Sequence, residues 1–109
     1  MAKHEFGIMP IDPVPGQRFD RYEPEQYHCI SVDDCDLENI LDRFVGIDFY
    51  WHTLDKPGSC LAYCGITLIP PKSMDAFLRV IEPVEKLGEL SALVRRAKAE
   101  NKFIIHFGI

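Results

Sequence analysis

The stretch that decides the fold runs from Gly46 to Pro71, GIDFYWHTLDKPGSCLAYCGITLIPP. Both halves are rich in aromatic and β-branched residues, and they are broken once, at Asp55-Lys56-Pro57-Gly58, which predicts a β-hairpin. Successive strand residues point to opposite faces, so Ile47, Phe49 and Trp51 share one side while Asp48, Tyr50 and His52 share the other. An L-Pro-Gly pair twists the wrong way for a two-residue turn, which favours a four-residue loop over Asp55–Gly58. Either even-numbered loop places Ala62, Cys64, Ile66 and Leu68 on the Trp51 side. Leu61, Tyr63, Gly65 and Thr67 then fall on the His52 side. The first set reads as an apolar core face and the second as a mixed face. On this parity His52 and Cys64 point apart.

Working outward, Tyr27 to Val32 reads as a strand, with Asp33 and Asp34 as N-cap candidates for a helix carrying Leu37, Ile40, Leu41 and Phe44. The acidic run Asp33, Asp34, Asp36, Glu38 suits a helix N-terminus and lacks the glycine and ligand spacing of an EF-hand loop. Downstream, Pro70-Pro71 stops the strand, Ser73 caps a helix with Phe77, Val80 and Ile81 inward, and Pro83 ends it. A further helix begins at Gly88, with Leu90, Leu93, Val94 and Ala97 as its apolar stripe and Arg95, Arg96 and Lys98 near its C-terminus. The end of the chain, FIIHFGI, predicts a last strand with Phe103, Ile105 and Phe107 on one face. Glu5 to Met9 has the makings of a short strand. Four prolines and Gly16 between Pro10 and Pro24 predict an extended strap over residues 1–26, anchored by Phe19 and Tyr22.

Residues 27–109 then form the core of one domain, an α+β two-layer sandwich. Its βαββαβ element order resembles the ferredoxin-like plait. Right-handed crossovers put both helical layers on one side, with the first and third strands central and the last strand beside the first. The helix side is predicted to receive Ile30, Val32, Phe49, Trp51, Cys64, Ile66 and Leu68, and Phe103, Ile105 and Phe107 from the last strand. Tyr27, Cys29, Asp48, Tyr50, His52, Tyr63 and His106 make up the opposite face, the expected ligand-binding surface. Tyrosine and histidine join an apolar body to a polar tip, as such a surface requires.

The net charge of −5 argues against a binder of phosphate backbones, so no nucleic-acid partner is expected. The longest apolar run is too short to span a bilayer, and no membrane partner is expected. Met1-Ala2-Lys3-His4 has neither the apolar core of a signal peptide nor the second-position glycine of myristoylation. The expectation is a cytoplasmic protein with Cys29, Cys35, Cys60 and Cys64 reduced. No zinc spacing occurs, so no metal or cofactor is predicted; a set drawn from Cys29, His52 and His106 would have to come from separate strands. Cys29 and His106 are the better placed thiol–imidazole pair. With no catalytic signature in the chain, three functions are carried forward. The first is a small protein- or ligand-binding module, homodimeric through the open sheet face or an edge strand. The second is a small enzyme with Asp48, Tyr50, His52 and His106 as acid–base groups. The third is an acidic, antitoxin-like inhibitor of a basic nuclease.

Overall fold

Two apolar clusters, one on each face of a single sheet, account for the architecture. The computed structural model describes residues 2–109. Six strands, β1 (Lys3–Ile8), β2 (Ile30–Asp33), β3 (Phe49–Trp51), β4 (Pro57–Gly58), β5 (Ile66–Ile69) and β6 (Ile104–Phe107), form an antiparallel sheet in the order β2-β1-β6-β5-β3-β4. Three helices, α1 (Asp34–Glu38), α2 (Met74–Ile81) and α3 (Gly88–Glu100), complete an α+β domain. No described helix is long and apolar enough to cross a membrane.

The helices form where the apolar spacing places them. Phe77 and Ile81 of α2, and Leu90, Leu93, Val94 and Ala97 of α3, are buried against the sheet. Phe77 stacks on Phe44 at 4.9 Å between centroids and meets Phe49 edge-on at 6.1 Å. Asn101, in the left-handed conformation, ends α3 as its N–H reaches the Lys98 carbonyl and that of Lys102 reaches Ala97. Ser73 does not cap α2 through its hydroxyl, which donates instead to the Asp48 carbonyl at 2.6 Å. The helix expected after Asp33 stops at Glu38, and Leu41–Phe44 follow as a separate 3-10 turn.

The sheet departs from expectation in two ways. Lys3–Ile8 is not part of a surface strap: β1 lies between β2 and β6, so the 27–32 segment, predicted central and beside the last strand, contributes an edge strand starting at Ile30. Phe6, fully buried on the helix face, explains the placement, because an apolar strand residue of this size is stabilised most at the centre. Second, the pairing of faces is reversed. The turn after Trp51 begins at His52, and Pro57-Gly58 pairs beside β3 as β4, with Phe49 opposite Gly58. The chain then crosses to the far side of β3, where Tyr50 meets Leu68 and Trp51 meets Thr67. Phe49 therefore shares the helix face with Ile69, while Tyr50 shares the second face with Ile66 and Leu68.

The same reversal runs through β6. Its register against β5, Ile66 to Phe107 and Leu68 to Ile105, puts Ile105 and Phe107 on the second face and Ile104 and His106 on the helix face. Residues 9–29 seal the second face: Met9, Phe19, Tyr27 and Cys29 belong to its cluster. The Phe19 N–H donates to the His52 carbonyl at 2.7 Å, and Gly16 N–H to the Asp55 carboxylate at 2.9 Å. Gly7 admits this layer, since a Cβ there would sit 2.6 Å from the Tyr27 carbonyl oxygen.

Candidate functional site

The seven residues expected on one binding face are dispersed. Tyr27 and Tyr50 pack in the second-face cluster, and Asp48 is exposed beside Lys72 at 3.5 Å. Cys29 is half-buried against Gly7, and burial pushes its thiol up to about 12. His106 lies fully buried on the helix face, so the expected Cys29–His106 pair is separated by the sheet itself. His52 and Tyr63 remain at accessible positions, each in a different cluster.

The first cluster surrounds His52. Its backbone is left-handed, φ 65°, and is held by its N–H to the Ile66 carbonyl at 3.0 Å and by the bond from Phe19. The Nδ1 atom faces two acceptors, the Phe19 carbonyl at 3.1 Å and the Asp20 carboxylate at 3.3 Å, so it carries the proton. Arg18 is the principal cause that holds the Asp20 carboxyl below its usual range, with His52 contributing less. The opposite nitrogen, Nε2, lies beside Gly65, where a Cβ would come within 2.9 Å of it. A cavity of about 190 Å³ opens here, lined by His52, Asp20, Cys64 and Gly65 with Tyr22 and Phe107 as aromatic walls. The Tyr22 and Phe107 rings meet edge-on at 5.5 Å, and the Tyr22 hydroxyl donates to Glu5.

His52 and Cys64, placed on opposite faces by the simple hairpin, thus share one cavity. The reversed pairing and the long return through residues 59–65 bring them together. Asp20 comes from the proline-broken segment, where a loop aspartate carries no sequence signal of its own.

The second cluster is a hydrogen-bonded series through the sheet's helix face. Thr67 Oγ1 lies 3.1 Å from His106 Nδ1, His106 Nε2 lies 2.9 Å from His4 Nδ1, and His4 Nε2 lies 2.8 Å from Asp34. The Tyr63 hydroxyl donates to the other Asp34 oxygen at 2.7 Å. Thr67, His106 and His4 are fully buried. The bond from His4, and next that from Tyr63, hold the Asp34 carboxyl below its usual range. The same contact pushes the Tyr63 phenol up to about 12. His4 and Asp34 are not among the residues expected on the binding face, and Thr67, expected on the His52 side, lies on the helix face instead. The available signal was a histidine inside each of two short apolar strands, HEFGI and FIIHFGI.

Among the described residues, Asp33, Cys35 and Asp36 bring ligand atoms within 4.8 Å of one another. Asp33 ends β2 and stands at the N-cap of α1, whose first turn carries Cys35 and Asp36, and Asp34 between them turns inward to His4. Carboxylates there are accounted for by the helix start. No protein-family model, no curated protein and no solved structure matches the chain.

Proposed function

We propose that the protein is a small-ligand domain whose pocket carries out thiol–imidazole chemistry, with Cys64 as nucleophile and His52 as its base. The observation that carries this reading is the placing of the His52 ring: Nδ1 lies against the Phe19 carbonyl and the Asp20 carboxylate, and Nε2 lies beside Gly65, which with Cys64 lines the cavity. A nucleophile, a base and a third group orienting the base are the recurring parts of covalent catalysis. The substrate class is a small electrophilic carbon, an acyl or alkyl group with a leaving group. The Cys64 proton passes to Nε2, sulfur bonds to carbon, and the leaving group departs with the proton from His52. A cavity of about 190 Å³ is below the roughly 300 Å³ at which pockets for larger ligands begin, so it admits a small molecule or the end of a longer one. Thiol chemistry requires an unpaired Cys64, which suits the reducing cytoplasm included in this proposal.

Peptide-resolved labelling with iodoacetamide at neutral pH tests it. Cys64 is expected to react about tenfold faster than the exposed Cys35, and His52→Ala to remove the excess. With p-nitrophenyl acetate, one equivalent of p-nitrophenolate should appear in a burst that Cys64→Ser abolishes. Equal labelling rates and no burst would sink the chemistry and leave the simpler reading of a binding module, which the aromatic walls Tyr22 and Phe107 favour.

A homodimer through the edge of β2 belongs to the same proposal. The Asp34 N–H donates to the Ala2 carbonyl, so the pairs His4–Val32 and Phe6–Ile30 carry the ladder bonds. Ser31 and Asp33 then turn their backbone groups outward, which supports pairing with a second copy.

A further inference from the structure

We infer that the buried His4–His106 pair, with Thr67, Asp34 and Tyr63, is the device that positions the Cys64 loop against His52. This rests on the thiol–imidazole reading above. The series closes on the loop itself. At one end the Ala62 N–H donates to Thr67 Oγ1 at 2.8 Å, and at the other Tyr63 reaches Asp34. Both gripped residues directly precede Cys64.

Proton accounting gives the series a single direction. Thr67 already accepts from Ala62, so its own hydrogen needs an acceptor, and His106 Nδ1 is the one beside it. His106 then donates from Nε2 to His4 Nδ1, and His4 donates from Nε2 to Asp34. Every donor points toward the carboxylate, which takes a last bond from Tyr63. All four imidazole nitrogens are used, as burial requires of polar groups. The rings of His4 and His106 stack at 5.1 Å, and Tyr63 meets His4 edge-on at 5.7 Å.

The rest of the loop is fixed from the end of the chain. Ile109 N–H donates to the Tyr63 carbonyl at 2.9 Å and Gly108 N–H to that of Gly65 at 2.7 Å. Gly108 must lack a side chain, because a Cβ would fall 2.3 Å from the Tyr63 carbonyl oxygen. Residues 62, 63 and 65 are thereby each tied to a neighbouring strand or to the chain end, and Cys64 between them lines the cavity. Thr67, His106, His4, Asp34 and Tyr63 are positioning residues, with no contact to a reacting atom.

The test is iodoacetamide labelling of the full chain, read as the Cys64 rate relative to Cys35 in the same molecule. General loosening of the fold raises both rates, whereas a displaced loop changes the ratio alone. Tyr63→Phe removes one oxygen at the surface end, and Thr67→Val exchanges the buried hydroxyl for a methyl. Each is expected to lower the ratio by about fivefold or more, most of the roughly tenfold excess of the wild type, because a misplacement of about 1 Å can cost as much as about a hundredfold, and Thr67→Ser is expected to restore it. Should Thr67→Val fail to fold, Tyr63→Phe decides. Ratios within about twofold of wild type in the folded variants overturn the positioning role. If His52→Ala still lowers the ratio in that case, the thiol–imidazole reading stands without it. A wild-type ratio already near one removes both.

Discussion

His52 holds a left-handed backbone, φ 65°, at a cost of about 1–2 kcal/mol for a residue with a Cβ. Its N–H and C=O are both bonded, to Ile66 and Phe19, and these contacts offset the strain. The geometry turns the imidazole toward Gly65 rather than onto the sheet. Gly65 matters for the space it leaves: a methyl there would press on Nε2 from 2.9 Å. Gly65→Ala is expected to cost about 1 kcal/mol, the low end of overpacking, yet to slow labelling of Cys64 by displacing His52. Urea denaturation combined with peptide-resolved labelling checks both halves. Labelling of Cys64 at the wild-type rate would mean that Nε2 does not act on this thiol.

At the scale of elements, β6 decides the chemistry of the helix face, because its register buries His106 instead of Phe107 there. Burial, and to a lesser extent His4, push the His106 imidazole well below its ordinary value. The unfolded chain binds a proton at this residue below about pH 6.5, and the folded chain does not. The unfolded state therefore holds more protons, so stability is fully present above that pH and falls as the pH drops. The expected loss is about 1.4 kcal/mol per pH unit, continuing down to the folded-state value. Asp34, also held low, adds a further loss only below the ordinary carboxylate value, near pH 4. Denaturation curves across this range should show a flatter dependence for His106→Gln. A variant as steep as the wild type would mean that His106 is not buried in its neutral form.

Across the whole molecule, the sheet is closed on both faces, by α2 and α3 on one side and by residues 9–29 on the other. Face-to-face association would have to displace Phe19 and Tyr27, and of the two sheet edges β2 offers four residues against the two of β4, which makes it the proposed route for a second copy. Ser31→Pro tests that route selectively. Its N–H points away from β1, so proline is tolerated within the chain but removes a donor from the edge. Sedimentation equilibrium is expected to show a wild-type dimer and a folded monomer for Ser31→Pro. A wild type that stays monomeric at high concentration would refute the edge pairing.

The sequence by itself determined the α+β class, the apolar stripes of α2 and α3, and the strands at Phe49–Trp51, Ile66–Ile69 and Ile104–Phe107. These rest on local periodicity and on prolines and glycines, which act within a few residues. It also singled out His52 and Tyr63, though for a shared face they do not have. Tertiary structure alone decided which strand neighbours which and which face each side chain meets. In β5 and β6 every residue is buried, so a period of two cannot tell one face from the other. Pairing with β1 and β3, set by contacts distant in the chain, breaks that tie. The meeting of Asp20, His52 and Cys64, and the series from Thr67 through His4 to Tyr63, follow from the chosen register. They join residues 12 to 102 positions apart, beyond the reach of local pattern.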